Sequence, residues 1–333
     1  MIQKYLSVVL MSLFGVVLSS GPGLPQSQLG EAKKEGSLAL YTSLNIPESK
    51  PLLDEFVKRY SFIKGDLVRL AGTSLITRIL SEERAGRHVA DVILSRLSFI
   101  TILQQAKLLG QYKSPELKGL REDFRDREGY WAAATLNTTV FVYNVRMVKP
   151  SDVPKSYDDL LKPLWKDKIS MDTESYDWFE TQLDTRGKEK GLEFMKKLKA
   201  QNPILRRGRT SQLELLAAGE FPVLLEAYSH RADKMKKKGA PIEWIPFEPV
   251  TVVPFAVAIA ANTPHPNASR LFVDFVLSRE GQMVFRKIGR IPARTEVEPD
   301  PPGLIKGLKL HIIGTESSLP ATIKLYNELF DIK

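Results

Sequence analysis

WAAATLNTTVFVY, Trp131 to Tyr143, is the stretch on which the fold turns. It is apolar and β-branched over more residues than an ordinary strand needs, and a polar triplet, Asn137-Thr138-Thr139, interrupts it midway. A strand that is buried at both ends and polar in the middle suits a segment passing between two packed bodies. A second long apolar run, Thr251 to Ala260, has the same character and could return the chain.

On the N-terminal side of the first run, strand and helix patterns alternate. Gly36 to Ser43 reads as a buried strand and Pro51 to Tyr60 as a helix with Leu52, Leu53, Phe56, Val57 and Tyr60 on one face. Asp66 to Leu70 and Val89 to Leu94 read as further strands, with a helix opened by Gly72-Thr73-Ser74 between them and another from Phe99 to Leu109. On the C-terminal side the alternation resumes: Lys168 to Met171, Ile204 to Leu205 and Pro222 to Leu225 as strands, Gly187 to Ala200, Ser211 to Ala218 and Ser229 to Lys238 as helices. Ala268 to Phe285 reads as one amphipathic helix. Such alternation implies parallel sheets covered by helices. The expected architecture is α/β, two lobes joined by two crossing strands with a ligand cleft between them. Residues 37–138 plus 256–290 are expected in one lobe, and 139–255 plus 291–333 in the other with a C-terminal tail.

Ligands of such sheets sit outside the carboxyl ends of the strands. That rule selects Ser43, Asn45, Thr73, Ser74 and Arg96 from the first lobe and Ser175, Tyr176, Thr210, Tyr228, Ser229 and His230 from the second. Thr73 and Ser74 also suit helix caps, and free N–H groups at a helix start attract anions. Arg96 offers a bidentate fork to a carboxylate or phosphate, or else an interlobe bridge to Glu174 or Glu226.

The 333 residues suffice for two cores. The start, Met1 to Lys4 followed by an apolar run to Leu18 and Ser19-Ser20-Gly21, has the order of a secretory leader, so residues 1–20 are expected to be removed. The chain contains no cysteine, hence no disulfide, no thiolate metal site and no lipid-anchor cysteine. The net charge of +9 falls by one without Lys4, and its clusters, Arg206-Arg207-Gly208-Arg209 and Lys234 to Lys238, read as solvated loops or helix ends. No G-x-S-x-G, phosphate loop, H-E-x-x-H or dinucleotide fingerprint occurs, and the four histidines are scattered. A non-enzymatic, monomeric receptor without cofactor, nucleic-acid partner or membrane insertion is therefore expected. A regulator's effector domain would need a DNA-binding helix pair, and a transferase on the same fold a nucleophile; neither is apparent.

Several local patterns occur in a telling order: Ala90-Asp91-Val92, Tyr143-Asn144, Tyr157-Asp158-Asp159-Leu160, Pro163 to Ile169 with Trp165-Lys166-Asp167-Lys168, Ala217-Ala218-Gly219-Glu220, and Phe272-Val273-Asp274-Phe275 leading to Gly281-Gln282. Together they resemble the periplasmic ferric-ion-binding proteins and their relatives across nearly the whole chain after the leader. The resemblance implies a type II periplasmic binding fold, hinge closure on a small ligand, a periplasmic location, and delivery to the permease of an ABC importer. It does not carry the metal with it. Where the family has a histidine this chain has Asn45, where it has a glutamate Arg96, and the tyrosine pair falls on Ser229 and His230. Ferric ion needs anionic oxygen ligands, which a guanidinium cannot supply. An anionic or polar organic ligand is the expectation; a shifted iron set of Glu226, Tyr228 and His230 is the alternative.

Overall fold

The computed structural model describes residues 26–70, 72–301, 304–314 and 319–332. The expected leader lies outside them. In chain order the strands and helices are α1 (Gln26–Glu35), β1 (Ser37–Thr42), α2 (Ile46–Arg59), β2 (Lys64–Arg69), α3 (Gly72–Arg84), β3 (Val92–Arg96), α4 (Leu97–Gln105), β4 (Leu109–Gly110) and β5 (Ala132–Asn144). Then come β6 (Ile169–Asp172), α5 (Tyr176–Arg186), α6 (Lys188–Ala200), β7 (Ile204–Arg206), α7 (Arg209–Ala218), β8 (Val223–Tyr228), α8 (Ser229–Lys237), β9 (Ile242–Ile245) and β10 (Val250–Ala260). The chain closes with α9 (Pro266–Leu277), α10 (Arg279–Lys287), β11 (Ile291–Pro292), β12 (Leu310–Ile312) and α11 (Leu319–Phe330).

The strands follow one hydrogen-bonded path, β2-β1-β3-β10-β5-β8-β6-β7, and β5 is its pivot. Thr138 pairs with Val252 of β10, while the next residue, Thr139, pairs with Tyr228 of β8. One strand thus serves two sheets. On one side β1, β2 and β3 run parallel and β10 antiparallel to β3; on the other β6, β7 and β8 run parallel. Each sheet buries its own apolar side chains. Leu38, Phe56, Phe272 and Phe285 are central to the first core, and Phe141, Trp165, Trp178 and Phe194 to the second.

Three expectations need correction. The return crossing precedes β10: Val252 and Phe255 already pack in the first core, because β9 finishes against Phe141 to Asn144 and the chain crosses over residues 246–249. Residues 291–333 do not all join the second lobe. β11 pairs with Leu136 and Thr135, β12 pairs with β10, and Leu304 sits in the first core; only α11 packs on the second, through Tyr326 and Phe330. The amphipathic run from Ala268 is two helices, since Ser278 leaves the helical conformation and its hydroxyl accepts from Gly281 N–H to cap α10. Helix α5, to which the sequence analysis assigns no element, has low amphipathicity because it buries polar Asp177, Thr181 and Gln182 alongside Trp178 and Phe179.

The motifs behind the resemblance are ties between elements. Buried Asp91 accepts from Ala39 N–H at 2.7 Å, from Thr263 Oγ1 at 2.6 Å and from the backbone N–H of His265 at 3.1 Å. Asn144 donates to Leu216 O at 2.8 Å, joining β5 to α7. Gln282 donates to Ala134 O and Val276 O and accepts from the N–H groups of Ala293 and Arg294, so every polar site of this buried amide is used.

Candidate functional site

Between the two sheets lies a cavity of about 420 Å³. Much of its wall is built from one kind of joint: a strand ends, a polar residue follows, and a helix starts. Ser43 and Asn45 stand between β1 and α2, Thr73 opens α3, and Arg96 stands between β3 and α4. From the other side come Tyr176 at the start of α5, Thr210 in the first turn of α7, and Tyr228 between β8 and α8. Helix starts aimed at one space make it electropositive before any side chain is counted.

The side chains add to that field. Arg69, Arg96, Arg207, Arg231 and Arg290 line the cavity against three acids, Glu48, Glu174 and Asp177. Each acid already has a cationic neighbour: Glu48 meets Arg231 at 2.8 Å, Glu174 meets Arg207 at 2.9 Å and Asp177 lies 3.6 Å from Arg96. Arg96 crosses the cleft, its Nη2 donating to the Tyr228 hydroxyl at 3.5 Å. The Tyr228 and Asp177 oxygens outweigh burial and hold the Arg96 guanidinium above its ordinary range. Its partner in the second lobe is Asp177; Glu174 is taken by Arg207 and Glu226 by Arg209.

Arg290 is the group without a settled partner. It is only 3% exposed, yet its Nε and Nη2 find no acceptor among the described residues, and the nearest carboxylate oxygen, on Glu48, is 3.9 Å away. Its guanidinium lies 5.0 Å from the Phe255 ring centroid. Burial pulls it down from the ordinary arginine range, with Glu48 opposing. The Oδ1 of Asn137, in the polar interruption of β5, is likewise buried, unpartnered and on the cavity wall.

Under the floor, Arg209 donates from Nε and Nη2 to one oxygen of Glu226 at 3.0 and 2.8 Å, and from Nη1 to the Tyr228 hydroxyl at 3.2 Å. Burial raises the Glu226 carboxyl in spite of Arg209. Burial lowers Arg209, but Glu226, then Tyr228, Asp172 and Asp177 hold it well above its usual range.

The structure brings together Ser43, Asn45, Thr73, Arg96, Tyr176, Thr210 and Tyr228 on one cavity. It does not bring the other four to that wall. Ser74 is exposed beside Thr73, Ser175 is buried under α5, and the Ser229 hydroxyl is spent on Thr138. His230 packs its ring on Tyr228, centroids 5.8 Å apart, and is one of the residues lining a neighbouring cavity. The alternative iron set is not assembled either: Glu226 is engaged by Arg209, the Tyr228 hydroxyl accepts from two arginines, and His230 lines the other cavity. Among the described residues no group of three or more His, Asp or Glu could hold a metal ion.

Sequence reasoning missed Arg69, Arg231, Arg290, Asp177 and Glu48; of the cluster read as solvated, Arg207 is indeed an exposed loop residue that also lines the cavity, whereas Arg209 is buried because Glu226 pairs with it. Arg69 does end a strand and was findable by the rule used. Arg290 follows a helix and reaches the cleft only through the fold of the C-terminal half.

Two α/β lobes, one continuous crossing strand and a polar cleft lined by five arginines define a two-lobed receptor for a small solute. The chain belongs to the bacterial extracellular solute-binding proteins: that family's model matches residues 87–318. An Fe(3+)-binding periplasmic protein of Serratia marcescens is 23% identical over 266 residues, 77% of this chain and 78% of the relative. Iron-bound HitA of Pseudomonas aeruginosa superposes with a TM-score of 0.74 at 21% identity, covering 89% of this chain and 97% of the other. AfuA of Actinobacillus pleuropneumoniae, with fructose-6-phosphate bound, superposes with a TM-score of 0.77 at 22% identity, covering 90% and 99%. Among the described residues no helix is long and apolar enough to cross a membrane.

Proposed function

We propose that this protein is the substrate-binding component of an ABC importer and captures a small organic anion, phosphorylated or carboxylated, by closure of its two lobes. The observation that carries the reading is Arg290: a buried guanidinium on the cavity wall, two of its nitrogens without an acceptor among the described residues. A guanidinium stays protonated, and a buried cation is retained at a cost unless an anion or hydrogen-bond acceptor completes it. Arg96 from one lobe and Tyr228 from the other would grip the same ligand, so that binding favours the closed state a permease recognises. Thr73 and Thr210 would add hydroxyl and helix-start N–H donors. The fructose-6-phosphate complex of the Actinobacillus relative supports an organophosphate as the type of ligand; the iron-binding relatives support the alternative, against which stands the arginine-lined wall.

The test is a thermal-shift screen of the ligand-stripped protein against organic phosphates, carboxylates, and ferric ion with and without citrate. An organic anion is expected to raise Tm, and Arg96→Ala to weaken it by about 10- to 100-fold, the worth of one charge-assisted hydrogen bond. Stabilisation by ferric ion alone, unaffected by Arg96→Ala, would make the protein an iron receptor.

A further inference from the structure

A second cavity, about 450 Å³, adjoins the first and shares Asn45, Glu48, Arg69 and Arg231 with it. The Glu48–Arg231 ion pair therefore stands as a partition between two chambers. Behind it Lys234 and His230 complete the wall with Ile288 and Gly289. We infer that this chamber is a second anion subsite, so that the ligand is a molecule with two anionic ends, one in each chamber; the inference rests on the anion reading of the first cavity and extends it.

Two independent observations carry it. The first is charge. Of the chamber's ionisable side chains Arg69, Arg231 and Lys234 are cationic, and Glu48 is the only acid. That acid is already bonded to Arg231 and approached by Arg290. Arg69 bonds a neutral amide oxygen, that of Asn45, at 2.8 Å, and Lys234 makes no ion pair among the described residues. Arg69 and Lys234 are exposed, so this cationic excess is open to an anion entering the chamber.

The second is His230. It is 7% exposed, and neither ring nitrogen has a hydrogen-bond partner among the described residues. A buried imidazole gives up hydrogen bonds to water on folding, and leaving both nitrogens empty is a loss the protein need not accept unless a ligand supplies the bonds. Burial, then Arg290, Arg231 and Lys234, push His230 well below its ordinary range, so the ring is neutral at pH 7. A neutral ring offers one N–H donor to an oxyanion and one acceptor to a hydroxyl, a pairing that suits a phosphate ester or a hydroxy acid better than a bare inorganic cation. Lys234 stands one helical turn on from His230 on α8, where it would supply the charge.

Inorganic phosphate reads the chamber without knowledge of the organic skeleton. In protein labelled with 15N at histidine, phosphate is titrated while the His230 ring resonances and Tm are followed in the wild type, in Lys234→Ala and in Arg96→Ala. Lys234 is exposed, so its replacement leaves the fold intact. A saturable shift of the His230 ring is expected in the wild type and in Arg96→Ala, and in Lys234→Ala the apparent affinity is expected to drop roughly tenfold, the lower end of what one charge-assisted hydrogen bond is worth because Lys234 is exposed. A His230 ring that does not respond, or that responds equally in Lys234→Ala, overturns the second subsite. If Tm then still rises with phosphate in an Arg96-dependent way, the anion reading of the first cavity survives alone; if neither signal moves, both fall.

Discussion

Single residues decide two different things in this chain, and they are not the same residues. Asp91, Asn144 and Gln282 hold elements together and never touch the cleft; Arg96, Arg290 and Tyr228 face it, and their side-chain contacts lie in or beside it. This explains why the family's pattern is legible while its metal site is not: the ties are demanded by the fold, whereas the cleft is free to vary with the ligand. One residue of neither kind has a predictable effect with pH. Glu180 on α5 has its carboxyl pushed up to about 7, by burial first and then by Asp184 and Asp177, and its Oε2 lacks a partner. The folded state therefore holds a proton on Glu180 where the unfolded chain has lost it, so stability contributed by that protonated form is lost as pH rises from about 4.5 through 7. Glu180→Gln should accordingly raise Tm at pH 8 and leave it close to wild type at pH 4. Equal Tm values for the two proteins at pH 8 would count against it.

At the level of elements, the break between α9 and α10 is the clearest test of how the C-terminal half is built. Gly281 faces the Phe275 carbonyl so closely that a Cβ there would overlap the backbone, and it follows the Ser278 cap. Gly281→Ala is expected to cost roughly 1–3 kcal/mol through this overpacking, seen as a fall in the denaturant midpoint. Gly30, which sits in α1 with open space around its Cα, serves as the control: alanine there should be neutral or stabilise by about 0.5–1 kcal/mol. Should both variants unfold at the wild-type midpoint, the packing at the α9–α10 junction is looser than described. The strands with strong apolar runs were readable in the sequence because burial on both faces leaves a continuous signal. Helix α5 was not, because it buries polar as well as apolar side chains, and the single-helix reading of Ala268 to Phe285 failed because Ser278 alters one residue's conformation without breaking the apolar period.

On the scale of the whole molecule, the lobes meet through Glu48–Arg231, Arg96–Tyr228 and Arg96–Asp177, at 2.8, 3.5 and 3.6 Å. The crossing strand β5 ties the lobes covalently, so these contacts bias how far they open. A partly buried pair such as Glu48–Arg231 is worth roughly 1–2 kcal/mol, a five- to thirtyfold change in the ratio of closed to open forms. Glu48→Gln should therefore enlarge the radius of gyration of the unliganded protein in small-angle scattering, and an anion bound across the cleft should reverse the change. Superimposable scattering curves for variant and wild type would show that the bridge does not set the lobe separation.

The sequence by itself determined the α/β alternation, the crossing strand Trp131 to Tyr143, and seven cleft residues, Ser43, Asn45, Thr73, Arg96, Tyr176, Thr210 and Tyr228. All of these follow from local rules: burial sets the apolar run, and a parallel strand's carboxyl end sets where polar residues gather. Tertiary structure alone decided the rest. That Arg290 reaches the cleft from behind α10, that Arg231 on α8 meets Glu48 on α2, and that His230 lines a second chamber all depend on contacts between residues far apart in the chain. No periodicity encodes which long side chains converge across a cleft, because exposed arginines on helix and strand ends look alike until the two lobes are packed against each other.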